Sequence, residues 1–155
     1  MTLEIFVDLS VVLTGFSKNK LQPQHDTLQL SEEYYNTLLK EVNPTLVAQL
    51  SAAFTSLQGD NKQVDPVKFK SDIIDNTVLG PVAKNIIKMW YVGIWYYITP
   101  ETEQGYIISD NAYTHGLVWD AMLAHPMGYS EGNFGYWDSA PAPANIPKGS
   151  GYGSN

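Results

Sequence analysis

The chain has 155 residues, enough for one domain with a real core. It contains no Cys, which excludes disulfides, iron–sulfur ligation, thiolate zinc sites and covalent c-type haem attachment. All nine basic residues are Lys, the net charge is −7, and the acidic balance argues against a nucleic-acid partner, while the absence of Arg removes the usual bidentate clamp for phosphates and carboxylates.

The N-terminal stretch MTLEIFVDLS has neither a basic n-region nor a small-residue cleavage site. The protein is therefore expected either to stay where it is made or to begin after a removed signal. No run of about 18–20 apolar residues occurs, so no span of a membrane is predicted. Leu3, Phe6, Val7, Ser10 and Leu13 keep helical spacing, and Gly15 falls where such a helix ends. Ile5, Leu9 and Val12 make the opposite side apolar as well. A connector with Pro23 and His25 leads to Ser31, the expected N-cap of a helix over 32–41 with Glu32 and Glu33 in its first turn. Asn43-Pro44 joins a cap to a proline at the first helical position and opens an amphipathic helix, with Leu46, Val47, Leu50, Ala53, Phe54 and Leu57 on one face and Gly59 at its end. Asp65-Pro66 repeats that signal for a weaker helix through Ile73 and Ile74.

Gly80-Pro81 introduces a helix predicted to reach Ile98. Val82, Ile86, Met89, Trp90, Gly93 and Tyr97 form one stripe; Ile87, Tyr91, Ile94, Trp95 and Ile98 form another on the far side. Lys84, Asn85 and Lys88 supply the polar positions. A helix apolar all round is buried on all sides. It is either the central helix of a bundle or a helix with one stripe in the core and the other against a protein partner, Trp90, Tyr91 and Trp95 supplying the helix face that docks. With the first helix, this suggests more apolar surface than a monomer hides, and hence an obligate subunit. Residues 99–109 read as a loop, and Asp110 or Asn111 caps a last helix to Ala124. Strand signals are poor. The expected fold is all-α: a single compact bundle of five or six helices over 1–124, then an extended tail over 125–155.

That tail alternates Pro126, Pro141, Pro143 and Pro147 with six glycines, yet carries Tyr129, Phe134, Tyr136, Trp137 and Tyr152. Disordered linkers are normally poor in such rings. Over 125–138 the burial of four rings roughly matches the entropy of ordering the backbone, so this half should lie ordered against a surface while the end frays.

Catalytic and metal signals are weak. His25, His115 and His125 lack metal-ligand spacing, the carboxylates are scattered, and neither a G-x-S-x-G nor a dinucleotide fingerprint occurs. No catalytic, cofactor-binding or metal-binding residue is assigned. Two minor readings remain, an enzyme using His115 or His125 and a sugar-stacking surface at Tyr136 and Trp137, although carbohydrate-binding modules are usually β-sandwiches.

Four segments carry a family resemblance. Leu9-Ser10-Val11-Val12-Leu13-Thr14-Gly15 resembles an L-S-x-x-L-T-G signature, and Met89-Trp90-Tyr91-Val92-Gly93-Ile94 is similar to a W-Y-x-G-I block. Tyr113, Leu117, Trp119 and Ala121 resemble the same family's last helix, and Gly128-Tyr129 with Gly132, Gly135, Tyr136 and Trp137 its Gly/Trp-rich tail. The family is the small subunit of membrane-bound, FAD-dependent sugar and sugar-alcohol dehydrogenases, including sorbitol, fructose and glucose dehydrogenases. The resemblance implies a non-catalytic accessory subunit without a cofactor of its own. It would bind a large glucose–methanol–choline type subunit that holds FAD, with a multihaem cytochrome c passing electrons to quinone. It also implies a maturation and export role, with a twin-arginine signal and a periplasmic location, the cytoplasm being the alternative. No twin-arginine segment is present, and Ser130 stands where the family's tail often has Cys, so the partner would be held non-covalently. The expected partner-binding residues are Trp90, Tyr91, Trp95, Tyr129, Phe134, Tyr136 and Trp137. A free-standing helical binding module with no flavoprotein partner is the alternative.

Overall fold

A computed structural model describes residues 1–59, 63–97 and 104–128. It is mostly helical, as expected, and the helices start where the sequence supplies caps. α1 (Leu3–Thr14) opens with the Thr2 hydroxyl accepting from the Ile5 N–H and closes at Gly15, whose φ of 76° takes the left-handed turn. After a short α2 (Lys18–Leu21), α3 spans Leu30–Glu41. α4 (Pro44–Leu57) and α5 (Pro66–Phe69) begin on Asn43 and Asp65, whose side chains accept from the first-turn N–H groups. α5 continues into a π-helical turn (Lys70–Ile74), and α6 runs over Leu79–Val92. Two strands follow, β1 (Ile94–Tyr96) and β2 (Gly105–Ile107), then α7 (Asp110–Thr114) and α8 (Leu117–Met122).

α6 is the central element, in contact with α1, α3, α4, α7 and α8. Trp90 on α6 sits between Phe6 of α1, at 6.5 Å between ring centroids, and Tyr34 of α3, edge-on at 4.7 Å. Leu38, Leu50, Ile73, Ile86 and Met89 complete the core without exposure to solvent. Each such side chain contributes about 1.5–3 kcal/mol on burial. Ser10 and Thr14 are buried because their hydroxyls donate to the carbonyls one turn back, Phe6 and Ser10, at 2.8 Å each.

The structure corrects several boundaries. The helix predicted to Ile98 ends at Val92, because Gly93 adopts φ 67° and its N–H closes on the Met89 carbonyl. A Cβ at residue 93 would lie 2.5 Å from the Ala112 carbonyl, so the chain passes α7 at a distance only glycine permits. Ile94-Trp95-Tyr96, β-branched and aromatic, then turns into a strand antiparallel to β2, with Trp95 opposite Tyr106. Asn85, counted among the polar positions of the helix, is 3 % exposed and clasps this strand. Its amide donates to the Tyr96 carbonyl at 2.5 Å and accepts from the Tyr96 N–H at 3.1 Å, standing in for a neighbouring strand.

α3 begins at Leu30, and Ser31 is buried rather than capping. No side chain caps α3; Asp26 holds the turn before it, accepting from the Leu28 and Gln29 N–H groups, and the N-cap residue Gln29 is left-handed at φ 53°. The last helix is capped by Ser109 and broken at His115-Gly116 into α7 and α8. Among the described residues α1 and α6 cover much of each other's apolar surface: Phe6, Val7 and Leu9 of α1 are fully buried, while Val12 stays exposed.

Candidate partner interface

The seven residues expected to bind a partner fall into three groups. Trp90 and Trp95 are 3 % and 1 % exposed, so they belong to this chain's own core and present no face to a partner. The helix face predicted to carry both does not exist, because Trp95 has moved onto β1. Tyr91 is half-buried against Phe16, at 6.1 Å, and its hydroxyl donates to the Thr14 carbonyl at 3.2 Å. Tyr129, Phe134, Tyr136 and Trp137 lie outside the described residues.

The two N-terminal signature segments thus meet in space. The Thr14 carbonyl of the segment 9–15 accepts from the Tyr91 hydroxyl of the segment 89–94. The third, around Tyr113 and Trp119, folds on itself, with the Trp119 indole N–H donating to the Tyr113 carbonyl at 2.7 Å and the rings edge-on at 5.6 Å. These residues build the scaffold.

The described surface has a groove that the sequence reading did not identify. One wall is α3, through Glu32, Glu33, Asn36, Thr37 and Lys40; the other is the segment 106–111 that leaves β2 and enters α7. The cavity holds about 550 Å³ and opens broadly to solvent. Two hydrogen bonds pin its walls together. At one end the Tyr106 hydroxyl donates to Glu41 at 2.9 Å, and at the other the Ser109 hydroxyl donates to Glu33 at 2.9 Å. Burial pushes the Tyr106 phenol pKa up, with the hydrogen bond to Glu41 adding to it. The Lys40 ammonium, 3.1 Å from Glu41, is held above its usual value first by that hydrogen bond. Beneath the groove the Tyr34 phenol is raised mainly by burial, with the Glu33 charge second. From sequence, Glu32 and Glu33 are only first-turn acids of a helix. The missed signal was the pair of strand-like runs 94–96 and 106–108 on either side of the expected loop, the first following a glycine.

A second cleft of about 430 Å³ is lined by Leu21, Leu28, Leu30, Leu117, Trp90 and His115, among others. The Lys20–Asp120 ion pair ties α2 to α8 nearby. The indole N–H of Trp90 makes no hydrogen bond among the described residues. His115 Nδ1 lies 3.1 Å from the Asn111 carbonyl and 3.0 Å from the Thr114 hydroxyl, within its own turn. Among the described residues no group of three His, Asp or Glu is placed to hold a metal ion, and no helix is long and apolar enough to cross a membrane.

The two grooves described above are concave sites on the helical scaffold, among the described residues. The chain belongs to the family described as membrane-bound, FAD-containing D-sorbitol dehydrogenase, whose family model matches residues 2–141. No curated protein and no solved structure matches it. The larger groove does not fit the pyrophosphate of FAD. A dinucleotide pyrophosphate calls for a glycine-lined helix N-terminus or clustered cations. The larger groove instead offers two carboxylates and one lysine already paired with Glu41.

Proposed function

We propose that this chain is the non-catalytic small subunit of an FAD-dependent sugar or sugar-alcohol dehydrogenase, and that FAD sits in a large glucose–methanol–choline type partner. The observation that carries this reading is the family match over 2–141, in a chain whose larger groove is lined by two carboxylates and a lysine already paired with Glu41. The small subunit binds the folded large subunit and so stabilises it by mass action, by about 4 kcal/mol when its concentration is a thousand times Kd. Tyr129, Phe134, Tyr136 and Trp137 supply aromatic anchors from the tail, while Trp90 and Trp95 act indirectly by holding the scaffold. With no cysteine in the chain, the contact is non-covalent. The complex works in the periplasm, where a multihaem cytochrome c takes the electrons onward, and the small subunit accompanies its partner through export.

Expressing the large subunit with and without this chain tests the reading. Co-expression raises FAD content and melting temperature together. A large subunit that takes up FAD and reaches full stability alone contradicts the accessory role.

A further inference from the structure

Among the described residues, β2 has one edge paired and one edge open. The Ile108 N–H donates to Gly93 at 2.9 Å and the Tyr97 N–H to Gln104 at 2.8 Å. Hydrogen-bonding positions alternate along an antiparallel ladder. Pairs 93–108, 95–106 and 97–104 therefore exchange the ladder bonds, and the N–H and C=O groups of Gly105 and Ile107 point away from β1. Among the described residues no hydrogen bond reaches them from that side. Ile107 is 54 % exposed. On the other strand, the corresponding outward groups of Tyr96 are taken by Asn85. Among the described residues, the outward groups of Tyr96 are thus filled and those of Gly105 and Ile107 are left unpaired.

That open edge borders the groove described above. Tyr106 and Ile108 line it from β2 and the residue beyond, with α3 opposite. A helix facing the edge strand of a sheet is the geometry that accepts an extended peptide as an added strand: backbone bonds give affinity, and alternate side chains enter the groove. We propose that β2 receives an extended segment of the partner subunit as a third strand, with a Lys or Arg of that segment lying against Glu32 and Glu33. Residues of the added strand that share the Tyr106 face project between that strand and α3. The charge balance selects the cation. Lys40 is engaged by Glu41, Glu33 accepts from Ser109, and Glu32 is exposed at the mouth.

This inference rests on the small-subunit reading, and its test separates the two. The full-length chain is co-expressed with the FAD-containing dehydrogenase subunit, and amide hydrogen exchange is followed at Gly105 and Ile107 in the free chain and in the complex. Strong protection of both amides on assembly is the expected result. A complex that forms without protecting them overturns the added strand and leaves the subunit reading standing; failure to form any complex overturns both. Ile107→Pro removes an outward N–H while sparing the β1 ladder and should weaken assembly at least about tenfold. Glu32→Lys, at an exposed position, should weaken it by about three- to tenfold and make the loss salt-dependent. If Ile107→Pro does not fold, Glu32→Lys decides: unchanged affinity overturns the proposal.

Discussion

The Tyr91 hydroxyl donates to the Thr14 carbonyl across 3.2 Å, joining the end of α6 to the end of α1. Thr14 immediately precedes the left-handed Gly15, and its own hydroxyl turns back to Ser10. This bond therefore ties the end of α6 to the end of α1. Tyr91→Phe removes it without changing the ring and should cost about 1 kcal/mol, or about 2–4 °C in melting temperature. A thermal melt of the folded variant checks this, and an unchanged melting temperature would show that the ring contact with Phe16 alone holds the corner.

Asn85 is the polar residue on which the strand after α6 depends. Asn85→Leu preserves volume but leaves the Tyr96 N–H and C=O without their partner, a loss of about 2–4 kcal/mol for two unsatisfied backbone groups. Denaturant titration measures it. Asn85→Asp should be comparably harmful, since it keeps the acceptor for the Tyr96 N–H but sets a carboxylate against the Tyr96 carbonyl.

Gly93→Ala combines a positive φ with a Cβ 2.5 Å from the Ala112 carbonyl. Left-handed strain alone costs about 1 kcal/mol, and the clash with backbone adds to it. The expected outcome is a drop in stability of more than about 2 kcal/mol, with loosened docking of α7 seen as faster exchange of its amides.

These residues also show what could be read in advance. Asn43-Pro44, Asp65-Pro66 and Gly15 announced their helix ends because capping chemistry is local, decided within three or four residues. The end of α6 was not legible in the same way. Ile94-Trp95-Tyr96 continues the helical apolar pattern of residues 82–90, and its switch to strand depends on Gly93 passing Ala112 and on the distant partner run at 105–107. The groove was hidden for the same reason, since Glu41 meets Tyr106 and Glu33 meets Ser109 across more than sixty residues of chain. Trp90 and Trp95 looked like interface anchors because composition alone does not distinguish a buried ring from a docking one.

Alkaline pH offers a test of the α3 wall. The phenols of Tyr34 and Tyr106 are both raised above the ordinary value of 10.0. The folded state therefore holds protons that the unfolded chain has released, so the stability they contribute is complete below about pH 10 and is lost as pH rises further. Melting temperature should fall above that pH. Tyr34→Phe should flatten the fall while costing little at neutral pH, since its hydroxyl lies a long 3.4 Å from the Ala112 carbonyl.

The most direct test of the account is a pull-down of the tagged chain from its native host, followed by an absorbance spectrum of the eluate. The account predicts flavin bands and a co-purifying protein several times larger than this 17.2 kDa chain. A colourless, solitary chain would contradict it and leave a free-standing helical binding module in its place.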